Sequence, residues 1–176
     1  MFSYAPPLTH HASLETMTTT VQFYHLLTTG LEQALPKLME KALATGTRVV
    51  ILARDATMIR KLSEQLWSAN PAGFLPHGGA TDAHPEWQPI YLTTTEENPN
   101  AASILVVLNG VIPIQITSYQ KLLDLFDGND EEAVAAARLR WKHYQQLPDI
   151  ALQYVKQQPK GGWKIDMESG VTPSAA

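Results

Sequence analysis

The 176-residue sequence contains no cysteine. Disulfides, thiolate metal sites and cysteine nucleophiles are therefore excluded, and the composition fits a reducing compartment. Charge is sparse, at 17% of residues, and has no basic excess: the formal net charge is −4. Phosphate neutralisation supplies most nucleic-acid affinity, so a chain with this balance is not expected to hold DNA unaided. No apolar run approaches the ~20 residues that a membrane span needs. Met1–Thr16 lacks the basic start and apolar stretch of a secretory signal. The cytoplasm is the expected location.

The motifs of common α/β enzymes are missing as well. There is no G-x-x-x-x-G-K-[ST], no G-x-S-x-G and no H-E-x-x-H. The turn after the first expected strand reads Leu27-Thr28-Thr29-Gly30, with one glycine in place of G-x-G-x-x-G. A doubly wound fold that binds a nucleotide usually carries such a glycine-rich turn at that point. His77, Asp82 and His84 have a spacing that metal ligation could use, but in a Pro/Gly-rich loop they read as solvated side chains. No catalytic residue, metal site or cofactor is expected.

What is present is the pattern of a packed globule. Apolar residues make up 44% of the chain, enough for one domain with a sizeable core. Met1–Thr16 reads as a flexible lead-in, and Met17 directly after it is a plausible internal start. Val21–Leu26 reads as a strand. Leu31, Leu35, Leu38, Met39, Ala42 and Leu43 recur at helical spacing, with Pro36 either starting or kinking the helix and Gly46 closing it. Val49–Ala53 is a strand buried on both faces. Asp55 caps a second helix with Ile59, Leu62 and Leu66 inward.

Ser68–Trp87 reads as a loop, and Ile90–Leu92 and Ile104–Leu108 as strands. Asn109-Gly110 suits a hairpin turn, but Pro113 makes Asn109–Ser118 an irregular connection. Lys121–Phe126 leans to strand. Asn129 with Glu132 resembles a capping box opening an Ala-rich helix through Gln146, and a polar tail follows from Pro159. Strands alternating with helices give an α/β layered, largely parallel sheet.

Two features point to binding surfaces. Arg138, Trp141 and Lys142 are related by i+3 and i+4, so they share one helix face. Such a face suits an acidic peptide with an apolar anchor or a free carboxylate, or is a solvated helix end with Trp141 packed on the sheet. Leu66-Trp67 leading into Phe74-Leu75-Pro76 places aromatics beside a Pro/Gly loop, as an interface anchor or as core beneath the loop.

The series VQFYHL, LEQALPKLMEKALATGTRVVILA, LSEQLWSANPAGFLPHG, LDLFDGNDEEAVAAARLRWKHY and GGWK resembles the chi subunit of bacterial DNA polymerase III, over about Thr18 to Lys164. The resemblance implies a single Rossmann-like domain over 18–164, a mostly parallel sheet flanked by helices with no nucleotide-binding loop. It leaves 1–17 and 165–176 as flexible extensions. It also implies a non-catalytic adaptor that pairs with the psi subunit, and through it with the clamp loader. Such an adaptor grips the acidic C-terminal tail of single-stranded-DNA-binding protein (SSB), which ends in Pro-Phe, and meets DNA only indirectly.

Carried over by position, Arg138, Trp141, Lys142 and Phe126 match the SSB-tail site. Trp67 and Phe74 match the psi-facing surface, for which a DNA-repair helicase is a further partner. Trp141 stands where the best-known member has tyrosine, keeping the aromatic platform and losing the hydroxyl. Two other functions compete: a small-molecule or nucleotide site at the strand ends, and direct single-strand DNA binding by Arg138, Arg140, Lys142 and Trp141.

Overall fold

A computed structural model describes residues 18–69, 73–108 and 110–170. The expected lead-in and internal start at Met17 lie outside these residues, as do 171–176. In chain order the elements are β1 (Thr19–Leu26), α1 (Leu31–Ala44), β2 (Val49–Leu52), α2 (Ala56–Ser68), β3 (His77–Gly79), β4 (Ile90–Thr93), β5 (Ile104–Leu108), β6 (Lys121–Asp127), α3 (Glu131–Tyr144), β7 (Ile150–Gln157) and β8 (Trp163–Gly170). The eight strands form one sheet in the order β3-β4-β2-β5-β6-β1-β7-β8. All neighbours are parallel except β7 and β8.

Side-chain alternation along the strands divides the interior into two layers. Val49, Ile51, Val106, Leu108, Leu123 and Leu125 meet Leu35, Leu38 and Met39 of α1 and Leu62 and Leu66 of α2 on one face. Val21, Phe23, Leu105, Val107, Leu122 and Leu152 meet Ala137 and Tyr144 of α3 on the other. Central strands covered on both sides must be apolar at every position, which is why β2 and β5 read as unbroken runs.

Local chemistry sets the helix ends. α1 runs through Pro36 and stops at Gly46, whose φ of +71° favours glycine. Asp55 caps α2 through the Met58 amide at 2.9 Å. The cap of α3 is Asp130, not the expected Asn129: its carboxylate accepts from the Glu132 and Ala133 amides at 2.9 and 3.3 Å. Asn129 ties the turn together instead, its amide bonding Asp127 Oδ1 at 2.8 Å. Gly128 has no alternative, since a Cβ there would come within 2.0 Å of the His25 ring.

Three strands escape the sequence pattern. β3 is a three-residue edge strand, two of its three residues glycine, inside the expected 68–87 loop. β7 carries glutamines at positions 153 and 157 where the sheet supplies polar partners, Gln22 for the first and the turn after β1 for the second. β8 (Trp163–Gly170) forms within the polar tail expected from Pro159, as an exposed edge strand whose Trp163, Ile165 and Met167 alternate with polar residues. Asn109, part of the expected hairpin turn, lies outside the described residues, and β5 and β6 are parallel, so no tight hairpin joins them; from Gly110 the described connection to β6 includes a 3-10 turn at Ile116–Ser118.

One ion pair lies within the α3-side layer. Arg140 bonds Asp124 of β6 through Nε at 2.6 Å and Nη2 at 2.9 Å, and the two residues are 4% and 0% exposed. Burial pushes the Asp124 carboxyl up, against the pull of the Arg140 guanidinium. Asp124→Asn strands a buried guanidinium and is expected to cost about 3–5 kcal/mol, read from the urea midpoint. A loss below about 1 kcal/mol would show that Arg140 reaches water without help.

Candidate functional site

α3 leans its Ala137 and Tyr144 side into the sheet. Trp141 follows half-way: its ring packs on Phe23 of β1 at 5.4 Å, and the rest is open. Arg138 and Lys142 are exposed. Among the described residues neither makes an ion pair or a side-chain hydrogen bond. The two alternatives for this helix face therefore combine. Trp141 is partly packed on the sheet, and the flanking cations are free to meet a ligand.

Phe126, which by the resemblance matches an apolar wall of the tail pocket, lies mostly beneath the surface. It is 5% exposed, roofed by α3, and stacked on His25 at 5.2 Å with the rings 14° apart. His25 Nδ1 in turn meets the Tyr154 hydroxyl of β7. A row of rings thus crosses β6, β1 and β7 beneath α3, and half-buried Tyr154 is its outermost member. Phe126 supports this row from within. Tyr154, which the sequence reading passed over, is the ring that reaches the surface beside Arg138.

At the other end of the sheet, Trp67 closes α2 and Phe74 precedes β3. They are 61% and 64% exposed, with centroids 5.2 Å apart. Trp67 also touches His77 edge-on at 5.4 Å. Leu66 and Leu75, their neighbours in sequence, are the residues that fill the core. Of the two readings for this segment, the aromatics follow the exposed one. Trp67 borders a cleft of about 710 Å³ between α2 and the β3–β4 edge, also lined by Arg60, His77 and Thr95.

The sequence model described as DNA polymerase III chi subunit, HolC, matches residues 17–148. The chain belongs to the chi-subunit family of DNA polymerase III. A curated relative, "Probable DNA polymerase III subunit chi" of Rickettsia prowazekii (strain Madrid E), is 32% identical over 103 residues. That alignment covers 58% of this chain and 62% of the relative, so it spans under two thirds of the relative's length. Chi-family proteins are accessory subunits of a polymerase, and Trp67, Phe74, Arg138, Trp141 and Lys142 lie within the matched stretch, whereas Tyr154 lies beyond it.

In this chi-family chain the turn after β1 is filled from inside. The Gln157 Oε1 accepts from the amides of Leu27, Thr28 and Thr29 at 3.0, 2.8 and 3.1 Å, and its Nε2 donates to Thr29 Oγ1. Successive amides of this kind form the concavity that holds a phosphate in nucleotide-binding relatives of the fold. Here a neutral side chain from β7 occupies it.

His77, Asp82 and His84 do not converge. His77 bonds Ser63 and the Leu75 carbonyl, Asp82 accepts from the Gly79 amide, and His84 stacks on Trp87 at 3.9 Å. Among the described residues no group of three or more His, Asp or Glu is placed to hold a metal. No described helix is long and apolar enough to cross a membrane. Gln157→Ala leaves three amides without their acceptor and is expected to cost about 1–3 kcal/mol by urea unfolding. A change inside about 0.5 kcal/mol would mean that water takes the oxygen's place.

Proposed function

We propose that this chain is a non-catalytic adaptor of the bacterial cytoplasm that links the clamp-loader complex, through psi, to the C-terminal tail of SSB. The observation that carries this reading is the pair of cations, Arg138 and Lys142, which bracket a half-open indole in the helix and have no ion-pair partner among the described residues. A terminal carboxylate meeting either cation gains about 1.5–3 kcal/mol. Burying the terminal aromatic against Trp141 and Tyr154 adds about 1.5–3 kcal/mol, and ordering a free tail offsets much of the sum. The contact is weak to moderate and salt-sensitive, as a contact remade at a moving fork must be.

The psi-facing surface is Trp67 with Phe74, with a DNA-repair helicase as a further candidate partner there. Large exposed aromatics in contact with each other are the residues that dominate hot spots. The nucleotide alternative is weakened by the occupied turn after β1. Direct single-strand binding loses Arg140 to the core and faces a net charge of −4.

Calorimetric titration with an acidic peptide ending in Pro-Phe tests the tail site. Binding is expected, with a loss of at least about 10-fold when the terminal Phe is removed and a cost of about 1–3 kcal/mol for Arg138→Ala. Equal binding of the full and shortened peptides rules the site out. For the other surface, Phe74→Ala abolishes co-purification with psi while changing stability by less than about 0.5 kcal/mol, as expected for an exposed side chain. Unfolding of that variant would instead assign Phe74 a structural role.

A further inference from the structure

β8 lies outside the stretch that the family's sequence model matches, and its pairing with β7 is irregular. Ile165 opposes Val155 and Met167 opposes Tyr154, so Asp166 between them is an extra residue. One extra residue reverses the alternation of side chains along a strand. Trp163 and Ile165 therefore lie on the α1 face, where Trp163 meets Tyr24 edge-on at 4.9 Å. Met167 and Ser169 lie on the α3 face, where Gln145 from the foot of α3 donates to Ser169 Oγ at 3.2 Å. A regular pleat would have kept Met167 on the side of Ile165.

The consequence is a shelf beside α3. Phe23, Tyr154 and Met167 are register neighbours across β1, β7 and β8. Trp141 covers the first of them, Tyr154 is half-buried, and Met167 is 58% exposed. The Gln145–Ser169 bond closes one end. Burial pushes the Tyr154 hydroxyl up, with Asp166 adding to the shift and Arg138 opposing it, so opposite charges flank the shelf. Its floor is apolar, and its wall carries Arg138, which has no ion-pair partner among the described residues.

We propose that β8 completes the tail-binding groove: the terminal apolar side chain of an extended acidic peptide rests on Met167 and Tyr154, its carboxylate reaches Arg138, and Asp166 restrains the affinity by repulsion. This rests on the tail-docking reading above. It adds that a strand beyond the family-matched region sets the strength of docking. The groove suits an acidic chain end, because Arg138 beside it is exposed and has no ion-pair partner among the described residues, while Met167 and half-buried Tyr154 offer an apolar floor.

The test is calorimetry on the full chain with the acidic Pro-Phe peptide. Met167→Glu, which puts a carboxylate on the floor, is expected to weaken binding at least about 10-fold. Asp166→Asn is expected to tighten it about 3-fold, a gain that shrinks in high salt and that misfolding cannot produce. Ile165→Ala, on the opposite face of the same strand, leaves binding unchanged. If the wild-type chain binds and Arg138→Ala weakens it, yet neither variant at 166 or 167 has an effect, β8 is not part of the groove and the docking reading alone survives. Loss of binding in Ile165→Ala equal to that in Met167→Glu overturns the face-specific groove. A wild-type chain that does not bind the peptide removes both.

Discussion

Arg140 carries a guanidinium into a layer otherwise made of Phe, Leu, Val and Tyr, and Asp124 is the partner that lets it stay there. The pair fixes more than local charge. At 100° per residue, positions two before and two after Arg140 fall on the far side of the helix from it. Turning Arg140 toward β6 therefore turns Arg138 and Lys142 away from it and out to solvent. Trp141, one residue on, is left half-way, with one side on Phe23 and the other open. Three cations in five residues are sorted by a single internal bond into one structural and two available.

The same sorting holds at the second surface. Leu66 and Leu75 enter the core, and Trp67 and Phe74 beside them are left outside, in contact with each other. In both places an apolar or paired neighbour anchors the backbone, and the exposed ring is held at a defined place by that anchor. Rings held in this way lose little entropy when a partner covers them. The α/β sheet thus holds two separated, exposed aromatic surfaces, and the turn that in nucleotide-binding α/β folds receives phosphate is filled here by Gln157.

Much of this was legible in residue order. β2 and β5 are continuous apolar runs because both their faces are covered, and α1 and α2 show helical periodicity because only one face of each is. Other parts were hidden for identifiable reasons. Gln153 and Gln157 make β7 look polar, although each glutamine is spent on a partner more than 120 residues away in sequence. Trp163, Ile165 and Met167 alternate with polar residues along β8, but the extra residue at Asp166 sends Met167 to the face opposite Ile165, which residue order does not show. Phe126 and Trp141 stand on elements that pack together, yet adjacency in a motif does not reveal which of two rings the helix will roof.

The sequence by itself determined the class of fold, the strand and helix positions of the central sheet, the lack of thiol chemistry and of a glycine-rich phosphate loop, and membership of a family with a recognisable basic-aromatic helix. These follow from composition and short-range periodicity, which depend only on which residues neighbour one another along the chain. Only the tertiary structure decided which cation of Arg138, Arg140 and Lys142 is buried, that Phe126 is roofed while Tyr154 is half open, and that β8 presents Met167 on the α3 face. Each of those outcomes depends on a partner distant in sequence, Asp124, His25 or Tyr154, and the pairing exists only once the sheet has brought the two together.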